Sequence, residues 1–221
     1  MHILLTDVLV CPRCGPEFGL ILLADRVRDR RVESGSLGCP NCRERYGATP
    51  QEVWVVAEGG GRRQGEGEGE GSVPGAEGSA GPPIDPVRVA GLLGVTERGY
   101  LLLVGDAGRG AEGVSELVEG VEVIAVVAPD GGEVPEQGAR NGEWGVSVVR
   151  AWGVPIATGK MAGVALLGAR ADSLLEEAAR TVRPTGRLLV DPSPADARAR
   201  LAKAGLRVLA EEGTTLLAIR G

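Results

Sequence analysis

Apolar residues fall into short blocks along the chain, and the period within each block predicts its element. Near the start, Gly19–Asp25 and Arg26–Glu33 alternate apolar and polar positions and predict two strands. Glu52–Ala57, with Val53 and Val55, predicts a third. Beyond residue 83 the blocks alternate between strand-like and helix-like periods. Tyr100–Val104, Val121–Ala128, Gly145–Arg150, Gly163–Leu167 and Arg187–Val190 read as buried strands. Between them, Ala111–Glu119, Asp172–Val182 and Pro194–Ala204 read as helices. The Asp172–Val182 segment carries Leu174, Leu175, Ala178, Ala179 and Val182 on one face. Leu206–Ala210 and Thr214–Ile219 flank Glu211-Glu212-Gly213 and predict a closing hairpin. Strand–helix alternation implies a mostly parallel sheet covered by helices, here with an antiparallel edge.

The pattern lapses over residues 58–83. Ten of these 26 residues are Gly, Glu and Gly alternate up to Gly71, and Val73 is the only aliphatic larger than Ala. Such a stretch has too little apolar surface to offset its chain entropy, so a disordered linker is expected there. The chain therefore divides into residues 1–57, the linker 58–83, and residues 84–221. An acidic interaction tail is the sharper reading of the linker.

Charge narrows the picture. The 221 residues carry 24 Lys+Arg and 30 Asp+Glu, a net charge of −6. Residues 1–57 hold seven Arg against seven acids, so neither the whole chain nor its first segment offers the surplus cation that phosphate contacts need. Nucleic acid is thus not expected as a broad-surface ligand. Arg26, Arg28 and Arg30 line one strand face, but Asp25, Asp29 and Glu33 interleave with them and favour a solvated hairpin face. No apolar run approaches the ~20 residues that span a bilayer, so no membrane is expected. Met1–Val10 lacks a basic lead and contains Asp7, a poor secretory leader, so the expected location is cytoplasmic. His2 is the only histidine and is expected at a mobile terminus, which excludes Ser-His-Asp and Cys-His catalysis.

All four cysteines sit in two matching knuckles, Cys11-Pro12-Arg13-Cys14 and Cys39-Pro40-Asn41-Cys42. Two intervening residues let one turn present both sulfurs to a single ion. The 24 residues between knuckles suit a hairpin that brings them together, so a tetrahedral zinc site is expected. Two disulfides or a redox pair are the rival uses. A redox motif would not need a second copy, and disulfides belong to a secretory context. Four thiolates leave no open position for water, so this zinc would be structural.

Leu4-Leu5-Thr-Asp-Val-Leu-Val-Cys-Pro-Arg-Cys and Gly38-Cys-Pro-Asn-Cys-Arg-Glu-Arg-Tyr-Gly together resemble the zinc-ribbon family that includes the tRNA-methyltransferase activator subunit. Relatives follow the aromatic with a Pro and an Asp-Gly turn, where this chain has Tyr46-Gly-Ala-Thr-Pro-Gln-Glu. The resemblance implies a domain that holds a methyltransferase partner by adding a strand to its sheet.

Tyr100-Leu-Leu-Leu-Val-Gly-Asp106-Ala-Gly108-Arg-Gly110 is a buried strand running into a glycine turn and a helix, a geometry that lets backbone approach an anionic ligand. Asp106-x-Gly108-x-Gly110 resembles the first motif of class I S-adenosylmethionine-dependent methyltransferases. Val182-Arg-Pro-Thr-Gly-Arg-Leu-Leu-Val190 resembles their helix-to-strand turn, and Gly205–Arg220 their last two strands. The expected fold class is α/β: a small four-cysteine zinc ribbon followed by a Rossmann-like class I methyltransferase-type sheet with a C-terminal antiparallel hairpin. By the resemblance, Asp106 would order the loop, and the Gly108 and Gly110 backbone would approach the S-adenosylmethionine cofactor.

Departures from that family shape the functional expectation. Val127 stands where the family has an acid for the ribose hydroxyls, with Asp130 three residues late. Glu112 replaces the third glycine, Ala162 the acid near strand four, and Gly168-Ala-Arg follows that strand in place of an Asn-Pro-Pro-aromatic motif. Pro129–Glu143 is too short and Gly-rich for the usual second helix. The leading expectation is therefore a non-catalytic methyltransferase-fold scaffold or partner stabiliser, with another methyltransferase or protein as its expected partner. The alternative is an active methyltransferase, on RNA or protein, with its activator fused in cis. In either case Val53–Val56 is expected to dock on the edge strand near Val146–Val149, with Trp54, Trp144 and Trp152 either covering that seam or filling separate cores.

Overall fold

Apolar runs such as Tyr100–Val104 suit a parallel sheet covered on both faces, and the computed structural model builds its core on them. It describes residues 1–50, 52–56, 84–96, 98–130 and 145–221. The elements are β1 (Ile21–Arg28), β2 (Arg31–Gly38), β3 (Arg45–Ala48), β4 (Glu52–Trp54), α1 (Pro86–Leu93), β5 (Gly99–Gly105), α2 (Ala111–Leu117) and β6 (Val121–Val127). There follow β7 (Val146–Arg150), β8 (Met161–Leu167), α3 (Leu175–Thr181), β9 (Val182–Asp191), α4 (Ala197–Lys203), β10 (Leu206–Glu212) and β11 (Thr215–Arg220). The linker expected at 58–83 and the helix-poor segment within 131–144, Trp144 included, lie outside the described residues.

All eleven strands form one sheet, in the order β1-β2-β3-β4-β7-β6-β5-β8-β9-β11-β10. From β7 to β9 the pairings are parallel; β11 then runs antiparallel to β9 and to β10. This is the expected α/β arrangement, a Rossmann-like parallel sheet with its closing antiparallel hairpin. On the other side the sheet continues into the first segment. β4 pairs in parallel with β7, Val53 opposite Val149 and Trp54 opposite Arg150, and Val55 N–H donates to Arg150 O at 2.9 Å.

Alternation along each strand splits the core in two. Leu102 and Val104 of β5 face one side, Leu101 and Leu103 the other. The second face is covered by α1 and α2 through Val89, Leu93, Ala111 and Val114. The first is covered by α3, α4 and the cysteine-bearing segment together: Leu5, Leu9, Cys11, Leu37, Tyr46 and Val53 share one apolar cluster with Ile124, Ile156, Leu166 and Val190. A strap reinforces this seam, Val10 N–H donating to Pro155 O (3.0 Å) and Ala157 N–H to Val8 O (2.7 Å). Arg180 in turn holds the carbonyls of Val154 and Ile156.

Two expectations are corrected. His2 is not mobile; it is 1% exposed, its N–H donating to Ser147 Oγ and its Nδ1 accepting from Leu4 N–H. The reason is that the leading residues run antiparallel to the start of β2, His2 opposite Arg31, with Ile3 N–H bonded to Arg30 O and Val32 N–H to Met1 O. Trp54 and Trp152 neither cover the seam nor fill separate cores: they are 41% and 44% exposed. Val53 points into the shared core, so strand alternation turns Trp54 to the opposite face. Trp152 follows the end of β7, and smaller apolar side chains (Leu9, Val55, Ile156) take the seam instead. No helix among the described residues is long and apolar enough to cross a membrane.

Candidate functional site

Each cysteine knuckle turns back on itself. Gly15 N–H donates to Cys11 O and Arg43 N–H to Cys39 O, both at 2.9 Å. Both turns close with a left-handed residue, Gly15 at φ +95° and Arg43 at φ +64°. β1 and β2 then carry the second knuckle beside the first, and the four sulfurs of Cys11, Cys14, Cys39 and Cys42 lie within 4.8 Å of one another. Cys11 Sγ and Cys42 Sγ are 3.7 Å apart, Cys14 Sγ and Cys39 Sγ 3.8 Å. For bonds of ~2.3 Å to a tetrahedral ion the sulfur–sulfur edge is about 3.8 Å, so the donor set fits zinc.

Electrostatics favours an ion there as well. Burial pushes the Cys39 thiol up, but the backbone N–H groups of Cys42 and Asn41 and the neighbouring sulfurs outweigh it and bring it to about 7. At Cys42 the Glu44 N–H pulls down, while desolvation and hydrogen bonds shared with Cys14, Cys39 and Cys11 push it up to about 12. Four thiolates so close oppose one another's ionisation, and a divalent cation removes that opposition. Around the cluster, Asn41 Nδ2–H donates to Cys14 Sγ at 3.3 Å, and the buried Tyr46 hydroxyl lies 3.2 Å from Cys11 Sγ. Burial, and then the Cys11 contact, raise the Tyr46 hydroxyl far above its ordinary value. The phenol therefore stays neutral and shares a hydrogen bond with that sulfur.

Elsewhere on the sheet, β5 runs into a tight turn over Asp106–Gly110 before α2. Gly105 requires its glycine: φ is +70°, and a Cβ there would stand 2.7 Å from Leu167 O. β5 and β8 are neighbours from which the chain departs in opposite directions, a topological switch point, and ligands of open α/β sheets bind outside the carboxyl ends there. Asp106 lies on this rim. Its carboxylate sits against Gly168, whose added Cβ would be within 3 Å of it, and its Oδ1 pairs with Arg109 Nη2 at 3.0 Å.

The two other glycines of the motif face protein. A Cβ on Gly108 would meet Val127 Cγ1 at 3.0 Å, and one on Gly110 would meet Ile84 Cγ2 at 3.0 Å. At the end of β6, Val127 is half-buried and Asp130 exposed. Glu112 stands in the first turn of α2, and Ala162 is buried in β8. The structure thus gathers Asp106, Gly108 and Gly110 at the carboxyl rim, at one end of the sheet's parallel strands.

Two arrangements were missed in the sequence. Glu122 is fully buried and held by Arg31, and an acid inside the apolar run Val121–Val127 was the signal for such a partner. Beside the rim, Glu52 binds both Trp54 Nε1–H and Arg150 Nε–H at 2.6 Å, and the Arg150 guanidinium lies 5.2 Å over the Trp54 ring.

No protein-family model and no curated protein matches the chain. Among solved structures, it is similar to the antibiotic-resistance methyltransferase Kmr, at 19% identity over 63% of this chain and 95% of that one, with a TM-score of 0.43. A second is the 1,6-didemethyltoxoflavin-N1-methyltransferase of Burkholderia thailandensis (19%, covering 61% and 76%, TM-score 0.44). A third is the 16S rRNA (adenine(1408)-N(1))-methyltransferase of Catenulisporales acidiphilia (16%, 62% and 92%, TM-score 0.40). At these identities the likeness concerns the course of the chain alone.

Proposed function

We propose that the chain is an S-adenosylmethionine-dependent methyltransferase of RNA or protein that carries its zinc ribbon in cis as a permanent extension of its sheet. The observation that carries this reading is the Asp106–Gly168 contact at the β5/β8 switch point, beside the left-handed Gly105. It keeps a carboxylate on the rim where an α/β sheet binds its ligand. When bound, the cofactor supplies an electrophilic methyl group on a sulfonium. Asp106 orders the loop, and the 106–110 backbone lines the cofactor's approach. Transfer then depends mainly on proximity and alignment of the acceptor.

Zinc at Cys11, Cys14, Cys39 and Cys42 is structural in this reading, and free thiols held for a metal suit a reducing, cytoplasmic setting. The ribbon strand that an activator would offer in trans is already paired on both edges, with β3 and with β7.

A second reading, a non-catalytic scaffold for another methyltransferase or protein, is favoured by one observation: Gly108 and Gly110 are pressed by Val127 and Ile84, and no acid stands at Val127. Equilibrium dialysis of labelled S-adenosylmethionine against the full chain separates the two. Binding near micromolar supports the enzyme; no binding at millimolar cofactor overturns it in favour of the scaffold.

A further inference from the structure

The carboxyl rim does not end at the glycine loop. A Cβ on Gly108 would meet Val127 at the end of β6, the next carbonyl, Ala128 O, accepts from Arg150 Nη1 at 3.4 Å, and Arg150 lies over Trp54. β6, β7 and β4 are adjacent and parallel, so all three end on one rim. Trp54 closes β4, two strand spacings (~10 Å) from β6. It comes from the ribbon, yet it stands in line with the loop that begins in the second segment.

Its presentation is that of a prepared surface. Glu52 ties the indole N–H with one oxygen and the Arg150 Nε–H with the other, and Arg150 itself is nearly buried. The ring is therefore fixed in orientation while 41% of the residue stays exposed. The chemistry presented along this stretch by the described residues is an aromatic ring backed by the Arg150 guanidinium and an aliphatic Val127. That combination suits a flat, electron-rich heteroaromatic ring, which stacks on indole whatever its hydrogen-bonding edge.

We propose that Trp54 is a stacking platform for the nucleobase of a nucleoside ligand, so that the ribbon completes the ligand site in cis. The proposal rests on the rim being a nucleoside site, as in the function proposed above, and it adds a residue from the other segment.

The test uses the zinc-loaded full chain and two probes, adenosine and S-adenosylmethionine, with ribose as the ring-free control. Trp54→Ala is expected to weaken both nucleosides about tenfold or more, and Trp54→Phe to restore most of that loss. Zinc content and thermal midpoint report whether β4 stays seated. Because Trp54→Ala also removes the Arg150 contact, a second measurement uses the W144F/W152F variant, whose only indole is Trp54. Adenosine, and not ribose, should quench its fluorescence. Nucleoside binding of unchanged strength in Trp54→Ala, with no quenching in W144F/W152F, overturns the proposal while leaving the methyltransferase reading intact. Trp54-dependent adenosine binding without S-adenosylmethionine binding supports the proposal and overturns that reading. Binding of neither probe overturns both.

Discussion

Arg31 of β2 grips Glu122 of β6 through two parallel N–H···O bonds of 3.0 and 3.1 Å, joining residues 91 positions apart. Glu122 is 0% exposed and is otherwise satisfied by Ser147 Oγ–H (2.5 Å) and Gly145 N–H (2.9 Å). The pair spans the seam between the cysteine-bearing segment and the parallel sheet.

Removing one member of such a pair is costly because the other is stranded. Arg31→Ala should destabilise the fold by about 3–5 kcal/mol, read from the midpoint of urea unfolding. Replacing both residues by Leu should recover much of that loss, since it leaves no charge buried. A loss below about 1 kcal/mol in Arg31→Ala would mean that the seam does not depend on the pair.

Zinc removal should act beyond the knuckles. Cys11, Cys39 and Val53 share one apolar cluster with Leu102, Ile156 and Val190, so loosening the ribbon opens the face of the sheet it covers. Structural zinc contributes about 10–16 kcal/mol in isolated fingers, comparable to the whole stability of a domain. Calorimetry with and without a chelator should show the main transition move to lower temperature, and Cys39→Ser should abolish the expected one zinc per chain. A main transition unmoved by chelation would show the two parts to be energetically separate.

Acid should weaken one surface clasp selectively. Arg200 of α4 binds Glu176 of α3 at 2.5 and 2.7 Å and Asp172 at 2.5 Å. The Arg200 hydrogen bonds hold the Glu176 carboxyl below its ordinary 4.5. A depressed folded-state value means the contribution is complete above the ordinary value and is lost as pH falls through the folded one. Wild type should therefore exceed Arg200→Ala in stability at neutral pH, by roughly 1 kcal/mol or less for each exposed pair. Denaturant midpoints of the two should converge as pH falls well below the ordinary carboxylate range. A gap that persists undiminished at pH 3 would assign it to packing instead.

Local chemistry was legible wherever one short stretch determined it. The Cys-x-x-Cys knuckles, the apolar runs of β5, β6 and β8 and the closing hairpin follow from spacing and period alone. α1 was missed although its signals were present: Asp85 caps Val87 N–H, Pro86 opens the helix, and Gly94 closes it at φ +57°. They were hidden by the Gly/Pro-rich stretch just before them. β3 carries only one large apolar residue, Tyr46, among Arg45, Gly47 and Ala48, too short a pattern to read. The burial of His2 and the exposure of Trp54 depend on which face of a strand meets which partner, and that is decided by contacts between residues distant in sequence. Glu122 lies between these cases, since its burial was legible and its partner was not.

Val127 offers the sharpest test of the proposed nucleoside site. It ends β6 beside Gly108, and in the proposed site an acid there would face the ribose hydroxyls of a nucleoside seated on the loop. Charge-assisted hydrogen bonds of this kind contribute about 1.5–3 kcal/mol, or roughly tenfold or more in affinity. Val127→Asp should therefore tighten S-adenosylmethionine binding about tenfold in equilibrium dialysis. It should leave the thermal midpoint within a few degrees of wild type, because the side chain is only half-buried. The gain should vanish with a 2′,3′-dideoxy cofactor analogue, which has no hydroxyls to hold. Equal tightening with the analogue would mean that the carboxylate attracts the sulfonium charge at long range, and that the ribose lies elsewhere. No tightening with either, in a variant that folds normally, would indicate that the end of β6 is not part of a nucleoside site.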